Sequence, residues 1–371
     1  MMRPLSIPIL ALFLCALFFP GPGLCMGAAP GMAGEVTDAE GDSLILRENG
    51  RSIQAREGTA LFPGDEITTG PDASLRFTLS GIGEFALAGD TRLDLAEVFS
   101  GEEDEPGVLS LAAGYLWSRV DTGGKRTVEV HTPTTVAGVR GTEFETVAAL
   151  DGSTAVAVDE GTVEVTVGEE AVMVGPGQMS GTGPDLAPEP PAPAPEKARR
   201  DWGAWRKTRR ENLMERLPAG AARLRATMER LDQRAQRDRE RMLSQAETLA
   251  RDAARLKGLA KTRGPEAREA RKEAWKRFAD GFQGLRGTVQ SFRGSISRAR
   301  ACARLCHVVS AAFEKERERY GDQAPAVEAD LKRVEELARE MKRDVQGLRR
   351  EIREKFKDFR KLARGREKAG S

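Results

Sequence analysis

The chain has 371 residues, 31% of them charged and only 5% aromatic, with a formal net charge of +1. That length allows two or three domains of about 150 residues each, and the shortage of large core side chains fits a small globular part joined to long helices. Two histidines in the whole chain argue against a zinc cluster or a histidine-based triad.

The near-neutral total hides a division. Residues 1–195 carry a net charge of −19 and residues 196–371 a net charge of +20. Such asymmetry fits a polyanionic partner for the basic half. It fits equally a basic half docked on its own acidic half, or a solvated helix surface rich in arginine.

Residues 1–33 form an expected signal peptide, with Arg3 before an apolar run over residues 5–19. The run is shorter than the ~20 residues of a membrane-spanning helix. Small residues at Gly31 and Ala33 favour cleavage after Ala33, because a cut after Ala29 leaves Pro30 next to the bond. Cys15 and Cys25 each follow leucine, which argues against a lipoprotein signal. The mature chain is therefore expected in the periplasm or secreted, without a transmembrane span.

Residues 34–183 are β in pattern. Short apolar alternations such as residues 43–46, 74–79, 84–87, 92–95 and 154–158 recur between turn residues, which predicts a sandwich, roll or barrel. Glu40-Gly41, Asn49-Gly50, Asp151-Gly152 and Glu160-Gly161 are hairpin signals. Residues 102–105, Glu-Glu-Asp-Glu, are an expected exposed acidic loop.

Residues 131–145 are the least generic stretch, reading HTPTTVAGVRGTEFE. Thr132-Pro133 predicts an extended lead-in. Gly138 and Gly141 flank Val139-Arg140, which predicts a tight corner, followed by a strand from Thr142. Arg140 then has two readings: a cation presented to a carboxylate, phosphate or partner, or, as favoured here, a guanidinium satisfying loop carbonyls. His131 is expected on a strand surface.

With Thr132, Pro133, Val139, Arg140, Gly141, Thr142 and Phe144, this stretch resembles the FecR domain family. Further matching segments are residues 63–70 (PGDEITTG), 114–120 (GYLWSRV), 160–165 (EGTVEV) and 175–178 (GPGQ). The resemblance covers residues 35–180 and implies a mainly-β sandwich or roll. It also implies kinship with signal-transducing anti-sigma regulators, although the family includes secreted proteins of open role. Gly138 and the motif residues are expected to be structural.

Residues 184–196 are a proline-rich linker, favouring an extended spacer. Residues 197–371 are a basic helical bundle or coiled coil. Helices are expected over residues 202–217, ending before Pro218-Ala219-Gly220, over 221–263, and in two later segments separated at residues 321–325. The third carries a seam from Trp275 through Phe278, Phe282, Leu285, Val289, Phe292, Ile296, Ala299, Ala303, Cys306 and Ser310 to Phe313. Each single-striped helix must pair within the chain or between chains. Trp202 and Trp205, among arginines, fit either packing or an interfacial contact.

Cys302 and Cys306 lie one turn apart. The spacing is one residue too long for covalent haem, leaving a disulfide, within or between chains, or packed thiols. No nucleophile elbow or phosphate-cradling loop occurs in the sequence. The reading is therefore a non-enzymatic exported envelope protein without cofactor, metal or nucleic acid. Its β domain would bind a protein or glycan, and its helical half would homo-oligomerise or contact an anionic glycan or lipid component. The alternative is periplasmic signal transduction through a separate membrane partner.

Overall fold

The computed structural model describes residues 32–97, 107–121, 127–139, 141–184, 187–259 and 264–355. Residues 1–31 of the expected signal peptide, the acidic loop at 102–105 and Arg140 lie outside the described residues. The described residues fall into two compact units. One comprises the described residues of Gly21–Arg230 with Ser297–Arg339, and the other those of Leu231–Ile296 with Glu340–Ser371.

The first unit contains the β domain. Its strands are β1 (Gly34–Glu40), β2 (Ser43–Leu46), β3 (Ser52–Gln54), β4 (Ala60–Leu61), β5 (Glu66–Thr69), β6 (Ser74–Leu79), β7 (Gly83–Leu87), β8 (Arg92–Glu97) and β9 (Gly107–Val120). There follow β10 (Val128–His131), β11 (Val136–Val139), β12 (Glu143–Ala148), β13 (Thr154–Glu160), β14 (Val163–Val167), β15 (Glu170–Val174), β16 (Gln178–Thr182) and β17 (Ala192–Pro193).

They make two sheets that share one strand. The first runs β4-β1-β6-β7-β9-β12-β13-β16-β17. The second runs β3-β2-β5-β8-β9-β10-β11-β14-β15, with β9 and β10 parallel. The early part of β9 pairs with β8 and β10, and its part from Gly114 onward pairs with β7 and β12. The crossing falls at Gly114, whose φ is 112°. A Cβ there would strike Thr91, whose Oγ1 accepts from Tyr115 N at 3.0 Å. Only glycine takes this backbone and this approach together.

Period-two alternation fills one core from both sheets. Leu75, Phe77, Leu79, Phe85 and Phe144 meet Ile45, Ile67, Leu93 and Val165 there. In β2 the alternation selects Ser43 and Ile45 for the interior and leaves Leu44 and Leu46 outside. Ala33, expected as the last signal residue, is buried. Its N–H donates to Leu61 O at 2.7 Å and its carbonyl accepts from Ser80 N at 3.0 Å. A cut after Ala29 would retain both bonds.

The helices are α1 (Trp202–Glu215), α2 (Leu217–Leu259), α3 (Pro265–Lys315) and α4 (Ala324–Lys355). Asp201 caps α1 by accepting from Ala204 N at 2.8 Å. The expected break at Pro218-Ala219-Gly220 falls earlier, at Arg216. Pro218 sits in the first turn of α2, where its missing N–H removes no helix bond. In the second unit, Met242, Ala246 and Leu249 pack with Phe278, Leu285, Val289 and Leu348, so three helices share a core within one chain. Trp275, expected in the seam, is 40% exposed.

Candidate functional site: an acidic strip filled by the chain's own arm

Three adjacent strands build the strip. In β9, Leu116, Ser118 and Val120 face the core, so Tyr115, Trp117 and Arg119 face outward. Across the pair, Glu145 lies opposite Trp117 and Glu143 opposite Arg119. On the other side of β12, Glu143 pairs with Glu160 and Phe144 with Val158, which leaves Asp159 as an extra residue. This bulge turns a third carboxylate toward the same face.

The strip's own donors meet two of these acids. Tyr115 OH donates to Glu145 Oε1 at 2.8 Å, and Trp117 Nε1 to Glu143 Oε1 at 3.2 Å. Arg119 Nη2 reaches Glu143 Oε2 at 2.9 Å.

The remaining partners come from the segment between the proline-rich stretch and α1. Lys197 Nζ donates to Glu143 Oε1 at 2.8 Å, stands 3.3 Å from Asp159 Oδ2, and lies over the Trp117 ring at 5.2 Å. Arg200 Nη1 donates to Glu145 Oε2 at 2.7 Å and its Nη2 to Asp159 Oδ1 at 2.8 Å. Arg200 Nε donates back to Pro195 O at 2.8 Å. Trp202 Nε1 adds a bond to Glu145 Oε2 at 3.1 Å. The side chains of Arg200 and Glu145 are each 4% exposed, so this ion pair is removed from water.

Charge states follow this geometry. Burial works to raise the Glu143 pKa, but hydrogen bonds from Lys197, Arg119 and Trp117 outweigh it and hold the carboxyl at about 2. Burial, followed by the Glu145 charge, pushes the Tyr115 phenol up, so it stays a donor. Burial opposes the charge on Arg200, yet its bonds to Glu145 and Asp159 raise its pKa on balance. The strip binds cations by fixed carboxylates and aromatic rings.

The arm continues along the domain. Arg206 Nη1 donates to Gly89 O at 2.9 Å, and burial lowers its pKa. Arg209 lies 3.7 Å from Asp151 and over Trp205 at 5.2 Å. From α3, Arg304 Nε reaches Glu66 Oε2 at 3.0 Å and its Nη1 reaches Asp94, while Ser297 meets Ser110. Trp202 is thus half-buried and hydrogen-bonded to the strip. The stretch expected as a spacer lies against the domain, with β17 pairing with β16 and Ser180 Oγ donating to Glu189 O at 2.7 Å.

The sequence candidates have these positions. Thr132-Pro133 is the beginning of a hairpin turn, because His131 pairs with Val136. Thr132 Oγ1 accepts from Thr135 N at 3.0 Å and meets Thr154 Oγ1 at 2.9 Å. This side-chain cap competes successfully with extension. Gly138 is an ordinary strand residue with open space beside it. Gly141, with φ at 62°, carries the corner, and Val139 and Phe144 are buried.

Thr142 is buried, its Oγ1 donating to Thr162 O at 3.3 Å. His131 is 1% exposed, with Nε2 at 2.8 Å from Glu129 Oε2; β10 lies between β9 and β11, so its end is not a free surface. Cys302 and Cys306 are free and buried. Their sulfurs approach different carbonyls, Leu224 O at 3.8 Å and Leu331 O at 3.4 Å, which holds them as packing groups instead of a bridge. Burial pushes each thiol up to about 12.

The strip residues were missed as a set. Their signal is the alternation Tyr-Leu-Trp-Ser-Arg in β9 and Glu-Phe-Glu in β12, which places polar groups on one face at period two.

A two-sheet β module closed by its own basic arm is the class that this architecture defines. Residues 65–164, within the β domain, match the family model described as FecR protein. Two crystal structures described as a candidate anti-sigma factor from Parabacteroides distasonis ATCC 8503, at 1.65 and 2.50 Å resolution, are similar at 20% identity and a TM-score of 0.31. The similarity covers 35% of this chain and 59% of theirs. No curated protein matches the chain.

Proposed function

We propose that this chain is a non-enzymatic signal-transduction component of the cell envelope, related to the FecR regulators and acting through a separate membrane partner. The observation that supports this reading best is the FecR domain over residues 65–164, whose carboxylate and aromatic strip is suited to holding a protein segment. On this reading the signal peptide is removed on export, and the mature chain works in the periplasm or outside the cell.

The test is transcriptional. Deleting the gene in its source organism should change a discrete set of transcripts sharing one promoter class, and the wild-type gene should restore them. An unaltered transcript profile refutes the regulatory role.

A second reading is a binding module whose helical half contacts an anionic envelope component such as lipopolysaccharide, or homo-oligomerises. The +20 charge of residues 196–371 supports it. Salt-sensitive co-sedimentation of the full chain with lipopolysaccharide is the expected result, and its absence at low salt removes this reading.

A further inference from the structure

We propose that the strip formed by Tyr115, Trp117, Glu143, Glu145 and Asp159 is a recognition site for a basic, tryptophan-bearing peptide segment of a partner protein. Residues 197–202 of the same chain are its built-in, displaceable occupant. The inference does not depend on the signalling reading.

Three observations carry it. First, the occupant's charged contacts are those of a ligand: one cation on Glu143 and Asp159, a second bridging Glu145 and Asp159, and an indole N–H on Glu145. They come from only six residues. Second, the part of that segment before α1 is a single turn over Lys197–Arg199 that buries no residue, and α1 begins only at Trp202. The segment is also tethered by the proline-rich stretch at residues 188–195. That stretch is itself anchored on the sheet, through β17 on β16 and Ala194 N on Gly177 O, so a segment that leaves the strip stays at high local concentration beside it.

Third, the strip does not need the occupant in order to exist. Its strands are paired by their own backbones and its outward side chains alternate with core residues of the sandwich. With the segment away, Glu145 keeps Tyr115 as a donor and Glu143 keeps Arg119 and Trp117. Asp159 Oδ2 faces Lys197 Nζ at 3.3 Å, a contact that a better-fitting donor would shorten. The partner chemistry is therefore Lys- or Arg-rich chain with an indole, competing with the tethered copy.

A fluorescent peptide of residues 195–206, titrated into the full chain, tests this by anisotropy. A site closed by its own segment shows an affinity reduced by the fraction of time it is open. A chain carrying Lys197→Ala, Arg200→Ala and Trp202→Ala should bind the peptide at least about tenfold tighter than wild type. Adding Glu145→Gln and Asp159→Asn should abolish that binding, as should high salt. Equal affinity for wild type and the triple variant overturns the proposal, and so does no binding to a triple variant that retains its β-sheet circular dichroism.

A second measurement uses the unaltered chain, so that it survives a variant that fails to fold. Excess peptide should speed amide exchange in residues 197–202 by competition while leaving β12 and β13 unchanged. No acceleration at the highest peptide concentration overturns the proposal.

Discussion

Replacing Arg200 with alanine gives the sharpest prediction. The guanidinium meets Glu145 at 2.7 Å and Asp159 at 2.8 Å, and both Arg200 and Glu145 are 4% exposed. Breaking one side of a buried ion pair costs about 3–5 kcal/mol when the remaining charge has no other partner. Here Glu145 retains Tyr115 OH and Trp202 Nε1, and Asp159 retains Lys197 at 3.3 Å. Those residual partners lower the expected cost to about 2–4 kcal/mol, or roughly 30- to 1,000-fold in the opening equilibrium of the arm.

The assay is native-state hydrogen exchange of the full chain, comparing peptides over residues 195–202 with peptides over β12 and β13. Arg199→Ala is the control, because Arg199 is 77% exposed and its ion pair is with the equally exposed Glu196 at 3.5 Å; it should lie within about 0.5 kcal/mol of wild type. Arg200→Ala should accelerate the arm and leave the strands alone. Arm rates within about twofold of wild type would refute the weight given to the buried pair. Equal acceleration of arm and strands would show that the segment is an integral part of the sheet's stability.

Further expectations follow from the same geometry. Glu143 titrates at about 2 in the folded chain against 4.5 for an unperturbed carboxylate. The stability it contributes is thus complete above about pH 4.5 and lost as pH falls toward 2. Acid titration followed by arm exchange should show that window, and Glu143→Gln should remove it. Gly161→Ala should destabilise the β domain by about 1–3 kcal/mol in urea, since φ is 83° and a Cβ would meet Thr142 Oγ1 at 2.7 Å and Gly141 O at 2.8 Å. Gly138→Ala should cost less than about 1 kcal/mol, its Cβ position being open. In native chain lacking residues 1–29, Cys302 and Cys306 should resist alkylation at pH 8 and react after denaturation, with no mass change on reduction.

The sequence was most legible where short-range chemistry decides the structure. Gly41, Gly50, Gly152 and Gly161, chosen from turn pairs, all have positive φ. The β alternation and the long helices were visible for the same reason: each depends on residues two, three or four apart. Thr132-Pro133 was misjudged because the threonine hydroxyl caps its own turn, an alternative to extension that proline's φ does not exclude. Gly114 could be matched but not explained, since the neighbour that demands glycine, Thr91, lies 23 residues away. The α3 seam drifted likewise. Cys302, Leu305 and Val309 are buried beside the expected positions, because Ser297 and Arg304 of this stretch also touch the β domain.

The charge division between the two halves has a local cause for its best-placed residues. Lys197, Arg200, Arg209 and Arg304 each meet an acid of the β domain, and Arg206 meets its backbone carbonyls. A polyanionic partner is therefore not required to account for these cations, and replacing Lys197 or Arg200 would release the arm before it tested any outside contact. The same fact gives the acidic strip its specificity. Carboxylates fixed on strands, one of them placed by a bulge, hold donors at set positions, whereas a diffuse acidic surface would accept any cation. A partner that displaces the arm must then match both position and charge. Charge reversal at Lys197 and Arg200 should open the strip, while charge reversal at the exposed Arg199 should leave it closed.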